Sequence, residues 1–245
     1  MGLGSVIRVA IIRIASLFSA DEKRSKVIFY HDIHFDKKYT NMSTPIDLFR
    51  KHIRIIRENG YEIVSEITNP VGQIEVCFDD GFLGLYDNID LIKELNLSIH
   101  LFVVSSYFEN KDHINKQQLL ELSNFEFIKI SSHTHTHKIL NQISEKEIEY
   151  ELIESKTTLE NLLDKKVDTI CFPEGKFNKK VIEIAKKRGY ANQYTSIPGF
   201  FIDEIVPNTK GRSLVQFARA KEFLAILKGG DHILASWYKF KHFKR

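Results

Sequence analysis

The 245-residue chain has few cysteines, little excess charge of either sign and no long apolar run. Its two cysteines, Cys77 and Cys171, both lie in apolar, strand-like stretches, which indicates buried reduced thiols and argues against a disulfide framework. With 35 Lys and Arg against 32 Asp and Glu, the net charge of +3 is too balanced to indicate nucleic acid as a partner. No stretch is apolar over the length that a bilayer-spanning helix requires.

The two ends of the chain have compositions of their own. Residues 1–20 are apolar but are interrupted by Arg8 and Arg13, which favours an amphipathic helix over a secretory signal. Residues 237–245 interleave aromatic with basic side chains, a pattern typical either of contact with an anionic membrane surface or of a final strand and a solvated tail. We therefore predict a cytoplasmic protein with peripheral membrane contact through both ends.

Strand-like and helix-like segments alternate along the rest of the chain. The clearest helix signal is the capping box Ser144-Glu-Lys-Glu147, which opens a helix predicted to reach about Leu163. Another helix is predicted to follow the Thr44-Pro45 pair and to end at Gly60. This alternation predicts a parallel α/β architecture. Strands are predicted at residues 27–30, 61–67, 74–78, 98–106, 125–131, 167–172 and 190–196, and further helices at 85–95, 119–122, 178–189 and 221–227.

Two adjacent carboxylates, Asp79 and Asp80, follow the predicted strand at 74–78 and precede a glycine. Neighbouring side chains of an extended chain point to opposite sides, so one carboxylate can hold a metal while the other handles a proton. The alternative is an ordinary Asp-Asp-Gly turn at the end of a strand. The pair alone does not decide between these interpretations.

Three histidines, His133, His135 and His137, follow the predicted strand at 125–131. Neutral imidazoles and a carboxylate are the usual ligands of a catalytic zinc-like ion. Clustered loop histidines can instead be exposed or bond one another, but three within five residues favour a metal site. Because the candidate residues follow strands, they are expected at the end of a barrel where active sites are built.

Together these two motifs resemble those of the polysaccharide deacetylases, carbohydrate esterase family four. In that family a Phe-Asp-Asp-Gly motif supplies the catalytic base and then a metal ligand, and a His-[Ser/Thr]-x-x-His motif supplies two more ligands. The resemblance implies that Asp79 is the base and that Asp80, His133 and His137 hold the metal. His135 falls at a variable position of the motif and receives no role.

The resemblance also implies a fold and a division of the chain. The expected fold is an irregular, incomplete (β/α) barrel of about seven strands. The expected segments are an amphipathic N-terminal segment at 1–26, a deacetylase-like catalytic domain at 27–228 and a basic-aromatic tail at 229–245. The expected cofactor is one divalent ion, zinc in preference to cobalt or nickel.

The stretch Ile170–Asn178 resembles the third motif of the family in its aromatic-Pro-x-Gly form. Where other members carry Arg-x-Pro-Tyr, this chain has Cys171 at the arginine position and Glu174 at the tyrosine position. We predict that Arg212 replaces the missing arginine beside the base. Glu174 lies where backbone N–H donors after Pro173 could polarise an oxyanion.

Amide hydrolysis also needs an acid for the departing amine. His232 and His242 do not follow convincing apolar runs, whereas His31 ends the predicted strand at 27–30. Circularly permuted members of the family, such as the poly-N-acetylglucosamine deacetylases, begin with such a Tyr-His strand. The resemblance therefore implies that His31 is the acid, with His34 as an alternative.

The predicted function is metal-dependent removal of acetyl groups from N-acetylated sugars in a polysaccharide, an oligosaccharide or a lipid-linked glycan. The same residues could serve O-deacetylation or the hydrolysis of another amide. A barrel that binds glycans without catalysis is the alternative from another class, supported by the missing arginine and by Glu174. A histidine-rich metal buffer is the last alternative, and it would not need Asp79.

Overall fold

The computed structural model describes residues 3–19 and 22–244. It contains twelve strands within those ranges: β1 Lys26–Tyr30, β2 Asp32–His34, β3 Ser43–Pro45, β4 Glu62–Val64, β5 Gln73–Phe78, β6 Ile99–Val103, β7 Ile128–Ser132, β8 Thr169–Cys171, β9 Phe177–Asn178, β10 Asn192–Tyr194, β11 Ser213–Leu214 and β12 Phe243–Lys244.

The same ranges contain nine α-helices: α1 Leu3–Ser16, α2 Ile46–Glu58, α3 Leu83–Asp87, α4 Ile89–Glu94, α5 Lys116–Ser123, α6 Glu145–Leu163, α7 Lys179–Lys187, α8 Ala220–Leu227 and α9 Ala235–His242. Short 3₁₀ turns at Pro173–Gly175 and Gly230–Leu234 are also important for the site.

Seven strands form one curled, parallel sheet in the order β10-β8-β7-β6-β5-β1-β11, and β4 joins the first residues of β5. All of these pairings are parallel. The sheet is an open half-barrel, so the predicted incomplete (β/α) barrel of about seven strands is confirmed. Parallel strands share one carboxyl end, and the side chains that follow them meet there.

The two central strands of the sheet, β1 and β5, are buried at every residue. Helices cover the outer face through apolar stripes, as in α2, where Phe49, Ile53 and Ile56 are buried. The predicted capping box of α6 is present, with Ser144 accepting from the Glu147 amide. These elements follow from local sequence signals, and they hold the strands in place beneath the pocket.

Two helix predictions differ in detail from the structure. The helix predicted at 85–95 is divided into α3 and α4 because Asn88 leaves helical geometry and its side-chain amide donates to the Gly84 carbonyl at 2.8 Å. Thr44 does not cap α2, since its hydroxyl donates to the Gln216 carbonyl at 3.0 Å and Pro45 precedes the helix. Both departures result from contacts that local pattern does not encode.

Both ends of the chain pack on the barrel. Ile12 of α1 is fully buried, and Arg8 pairs with Glu222 of α8 at 2.8 Å. At the other end, β12 pairs in parallel with β9. The division of the chain into three segments stays a prediction, and residues 1, 2, 20, 21 and 245 of the end segments lie outside the described part. Within that part, no helix has the length and apolar character needed to cross a membrane.

Candidate active site

One pocket of about 480 Å³ lies at the carboxyl end of the sheet. Every residue that the sequence singles out for the site lines it: His31, Asp79, Asp80, His133, His137, Glu174 and Arg212. Residues of both chain ends complete the wall, among them Arg8, Leu234, Tyr238 and His242. The strands therefore bring together side chains that lie far apart in the sequence.

Asp80, His133 and His137 form a compact triad. Asp80 Oδ1 lies 3.4 Å from His133 Nε2 and 3.3 Å from His137 Nε2. Asp80 and His133 are buried, and His137 is a quarter exposed at 25%. A carboxylate and two imidazoles that converge in this way can supply three ligands to one ion and leave a position open.

The backbone around this triad has unusual geometry. Asp80, Thr134 and His137 have φ values of 69°, 71° and 60°, a region that non-glycine residues seldom adopt. Such conformations cost energy, and the surrounding structure must enforce them. Here they turn the chain sharply after β5 and β7, which aims Asp80 and His137 at a common point.

Glu151 of α6 holds the histidine loop. Its fully buried carboxylate accepts from the amides of His135 and Thr136 at 3.0 and 2.7 Å and from the Thr136 hydroxyl. The Thr134 hydroxyl in turn accepts from the His137 amide at 3.1 Å. A mid-helix glutamate is ordinarily a solvated charge, so no sequence signal marks Glu151 as part of the site.

The orientation of His133 is set by a backbone carbonyl. Its Nδ1 lies 2.8 Å from the Cys171 carbonyl oxygen, which can only accept a hydrogen bond. Nδ1 therefore keeps its proton, and once Nε2 has lost its own proton its lone pair faces Asp80. This is the arrangement by which proteins fix the tautomer of a metal-binding histidine.

The charges in the triad match metal binding. Burial acts to raise the pKa of Asp80, but the close contact and charge of His133 outweigh it and hold that pKa well below its usual range. Burial, reinforced by the charge of His133, lowers the pKa of His137 to about 4. Burial opposes protonation of His133, yet the Cys171 sulfur and the Asp80 carboxylate raise its pKa well above the usual value. Ion binding at His133 would therefore release a proton.

These residues fit a bound metal ion. Asp80 Oδ1 is buried and, among the described residues, has no hydrogen-bond partner of ordinary geometry. The three ligand atoms lie within 4.8 Å of one another. A buried carboxylate oxygen without a partner is costly, and a cation between the two imidazoles would satisfy it.

Asp79 lies beside the triad and binds Arg212. The guanidinium makes two parallel hydrogen bonds, Nη1 to Oδ1 and Nη2 to Oδ2, each 2.7 Å long. Burial acts to raise the pKa of Asp79, but the charge and hydrogen bonds of Arg212 outweigh it and lower that pKa. The two neighbouring carboxylates thus have different partners, which suits them to different roles.

Arg212 is itself fixed from several sides. Its Nε donates to the Thr195 carbonyl at 3.1 Å, and its Nη2 contacts Cys171 Sγ at 2.7 Å. The guanidinium lies over the ring of Phe29, 4.3 Å from the centroid. Cys171 is small enough to leave room for a guanidinium that arrives from the loop before β11.

His31 follows β1 and lines the pocket. Its Nδ1 contacts Gln216 Oε1 at 2.6 Å, and an amide oxygen can only accept. The alternative histidine His34 is buried, bonds the Ser43 hydroxyl at 2.8 Å and does not line this pocket. The geometry therefore favours His31 over His34 as a group that meets a ligand.

The turn at Pro173–Gly175 forms part of the pocket wall. The Glu174 carboxylate pairs with Lys176 at 2.5 Å, and its side chain is half exposed. The two amides that follow Glu174 donate to the carbonyls of Phe172 and Pro173 at 3.0 and 3.1 Å. Those two amides are occupied within the turn, so neither is available to a ligand.

Two further histidines, His135 and His242, lie near the site, but only His242 lines the pocket. His135 lies beside the triad, where its Nδ1 bonds the Ser105 hydroxyl at 2.9 Å. His242, at the end of α9, is buried and lines the pocket. The sequence placed His242 in a tail outside the catalytic domain, and only the pairing of β12 with β9 shows where it lies.

Comparison with known proteins shows the family and the fold of the chain. The family model for polysaccharide deacetylase matches residues 66–193, more than half of the chain. YxkH of Bacillus subtilis (strain 168), whose name places it among polysaccharide deacetylases, is 26% identical over 191 residues, which cover 73% of this chain and 67% of YxkH.

Solved structures share the fold. The Streptococcus pyogenes deacetylase PplD in complex with acetate has a TM-score of 0.72 at 19% identity, covering 82% of this chain and 96% of PplD. IcaB from Ammonifex degensii has a TM-score of 0.72 at 17% identity, covering 84% of this chain and 97% of IcaB. On the match to the family model, the chain belongs to the polysaccharide deacetylase family and is a hydrolase of that family.

Proposed function

We propose that this protein removes acetyl groups from N-acetylated sugars of a glycan with the help of one bound divalent metal ion. The observation that carries the proposal is the division of labour between Asp79 and Asp80. One carboxylate is held by Arg212 at 2.7 Å, and the other faces His133 and His137 at 3.4 and 3.3 Å. Two adjacent residues thereby have different partners, which suits Asp79 to act as the base and Asp80 to act as a metal ligand.

Asp80, His133 and His137 would hold the ion, which would supply Lewis-acid polarisation of the acetyl carbonyl and a water of lowered pKa. Asp79, kept ionised by Arg212, would take the proton of the attacking water. The Glu174 amide would donate to the developing oxyanion. His31 would give a proton to the departing amine nitrogen, with Gln216 fixing its ring.

The ligand set also bears on the identity of the ion. Two imidazoles and one carboxylate suit zinc, and cobalt or nickel accept the same donors. We propose zinc as the native ion. Soft thiolates take no part in the triad, although Cys171 lies near by.

The same residues could act on an O-acetyl ester or another amide, since base, metal site and oxyanion donor are common to these reactions. A non-catalytic glycan-binding barrel is less compatible with the site. The arginine missing at Cys171 is its main support, but Arg212, in contact with Cys171, pairs with Asp79. A metal buffer would not require the Arg212–Asp79 pair.

We propose in addition that the two chain ends contact an anionic membrane surface, and a cytoplasmic location stays a prediction. Ile7, Ile14 and Phe18 of the N-terminal segment are exposed, as are Trp237 and Phe240 of α9. Apolar side chains beside lysines are typical of interfacial contact. Because both segments also line the pocket, such contact would bring the pocket close to a lipid-linked glycan.

Acetate release tests the deacetylase proposal. The protein should release acetate from N-acetylglucosamine oligomers, lose this activity after chelation and regain it when zinc is added. Parallel assays on an O-acetylated glycan would show which bond is preferred. Chelation that leaves acetate release intact would rule out the metal-dependent reaction.

A further inference from the structure

His242 has a ring nitrogen whose partner is missing. The residue is 8% exposed, and its Nε2 has no hydrogen-bond partner among the described residues. It lines the same pocket as Asp79 and the metal triad. Buried polar atoms are nearly always satisfied, so an orphan nitrogen in a pocket wall indicates a group that a ligand completes.

The other nitrogen of the ring determines what that ligand must offer. Nδ1 lies 3.2 Å from the Gly175 carbonyl oxygen and 3.2 Å from the Ser196 hydroxyl. A carbonyl can only accept, so the favourable neutral tautomer has its proton on Nδ1. Nε2 then presents a lone pair, which requires a hydrogen-bond donor. Burial lowers the pKa of His242, which agrees with a neutral ring.

The surroundings hold this ring in place. His242 ends α9, and the next residue, Phe243, pairs with Phe177 of β9, with the two ring centroids 5.3 Å apart and the rings tilted by 51°. Gly175 has a φ of 62°, and a Cβ there would lie 1.7 Å from Ser196 Oγ and 2.9 Å from His242 Nδ1. The close approach of three segments therefore depends on a glycine at this position.

We propose that His242 is a substrate-binding residue whose Nε2 accepts a hydrogen bond from a sugar hydroxyl of the acetylated glycan. This inference rests on the proposed function, which makes a saccharide the substrate. A saccharide ring offers many hydroxyl donors, whereas a phosphate or carboxylate group would offer only acceptors to Nε2. His242 thereby selects for an unsubstituted hydroxyl on the bound sugar.

Two substitutions of His242 distinguish the role of Nδ1 from that of Nε2. His242→Asn retains an amide near Nδ1, which can still donate to Gly175, but offers nothing at Nε2. His242→Gln places an amide oxygen near Nε2, where it can accept. His232→Asn is the matched control, because His232 belongs to the same C-terminal segment, is 42% exposed on its side chain and lies outside this pocket. Melting temperatures show that each variant is folded.

The probe is N-acetylglucosamine tetramer, titrated calorimetrically into zinc-loaded Asp79→Asn protein, in which turnover is suppressed. In Asp79→Asn/His242→Asn the sugar hydroxyl loses its acceptor and is left unpaired, which should raise the Kd about 5- to 100-fold. His242→Gln in the same background should recover most of that loss, and His232→Asn should bind as the parent does. An unchanged Kd in the His242→Asn background would overturn the inference.

Kinetics give an independent readout. In otherwise wild-type protein, His242→Asn should raise the KM for the tetramer more than it lowers kcat. Its effect on kcat/KM should be several-fold smaller for 4-nitrophenyl acetate, which has no sugar hydroxyl. Equal losses on both substrates would mean that His242 acts in the chemistry or in folding, and would overturn the inference.

The outcomes separate the two proposals. Tetramer binding that His242→Asn weakens, without acetate release by the wild type, would support the inference and contradict the deacetylase function. Acetate release by the wild type, with a Kd that His242→Asn leaves unchanged, would support the deacetylase function and contradict the inference. No binding of the tetramer at all would contradict both.

Discussion

Arg212 and Asp79 form a buried, bidentate ion pair although 133 residues separate them in the sequence. Both Asp79 carboxylate oxygens accept from the guanidinium at 2.7 Å, so the carboxylate has one defined orientation. Burying two charges is costly, and the geometry must be good for the pair to persist. The pair therefore fixes the proposed base beside the metal triad.

Arg212→Lys keeps the charge but cannot make both hydrogen bonds. We expect kcat to fall about 100-fold, as a misplaced catalytic group can cause, while bound metal stays stoichiometric. Steady-state kinetics and metal analysis on the same preparation check this. A turnover number unchanged in Arg212→Lys and Arg212→Ala would exclude a role for Arg212 in positioning Asp79.

The stability of the same pair gives a second prediction. Arg212→Ala leaves the Asp79 carboxylate buried without a partner, which should lower the free energy of unfolding by about 3–5 kcal/mol. Arg212→Ala/Asp79→Asn removes that buried charge and should be less destabilised than the single variant. Urea unfolding measures both, and additive effects would show that the two residues are not coupled.

Glu151 should control metal affinity without touching the metal. Glu151→Gln removes the charge that strengthens the two amide hydrogen bonds and replaces the oxygen that accepts from the Thr136 hydroxyl by a nitrogen that can only donate. We expect zinc affinity to fall about 10- to 100-fold, as for other outer-shell partners. Competition with a chelator gives the affinity. Glu154→Gln, the same change at a half-buried position of the same helix, is the control and should bind zinc as the wild type does.

Protein stability should depend on the protonation of His52, far from the metal ligands in sequence. This buried ring bonds the Tyr30 hydroxyl at 2.9 Å and the Ala218 carbonyl at 2.7 Å. Burial lowers its pKa from 6.5 to about 4, so the unfolded chain binds the proton more readily. The free energy of unfolding should therefore fall as the pH drops from 6.5 to 4. His52 should account for about 3 kcal/mol of that fall.

His52→Gln has no titrating ring and keeps polar atoms. Chemical denaturation of metal-free wild type and His52→Gln across this pH range isolates the contribution of His52, because the other histidines are the same in both. Between pH 6.5 and 4, the free energy of unfolding should fall by about 3 kcal/mol less in His52→Gln than in the wild type. Parallel curves would contradict a neutral, buried His52.

Membrane contact through the chain ends predicts binding to anionic vesicles. Phe18 and Phe240 are 85% and 86% exposed. Phe18→Ser/Phe240→Ser should reduce the fraction that sediments with phosphatidylserine vesicles, and added salt should reduce it further. Phe35→Ser, which removes a 76% exposed phenylalanine outside the end segments, is the control. Sedimentation that is the same for all three proteins would exclude the two ends as the contact.

The sequence was informative where function depends on neighbours along the chain. Asp79 and Asp80 follow one strand and His133 and His137 another, so strand prediction alone brings them to one end of the sheet. The resemblance then assigned their roles. Those roles, and that of His31, remain proposals, while the seven-strand half-barrel is confirmed.

Other features depend on contacts that local pattern cannot show. Glu151 looks like a surface residue of an ordinary helix until the histidine loop closes over it. The aromatic and basic residues at 237–245 suggested a strand or tail, yet most of them form α9. His242 reaches the pocket because β12, at the end of the chain, pairs with β9, about a quarter of the chain earlier.

The most direct test of the account measures bound zinc and acetate release together, in wild type, Asp79→Asn and His133→Ala. The account predicts one zinc per chain and acetate from N-acetylglucosamine oligomers for the wild type. Asp79→Asn should retain zinc and lose activity about 10²- to 10⁴-fold, whereas His133→Ala should lose the zinc itself. Stoichiometric zinc in the wild type with no acetate from any acetylated glycan would contradict the account and favour a glycan-binding barrel.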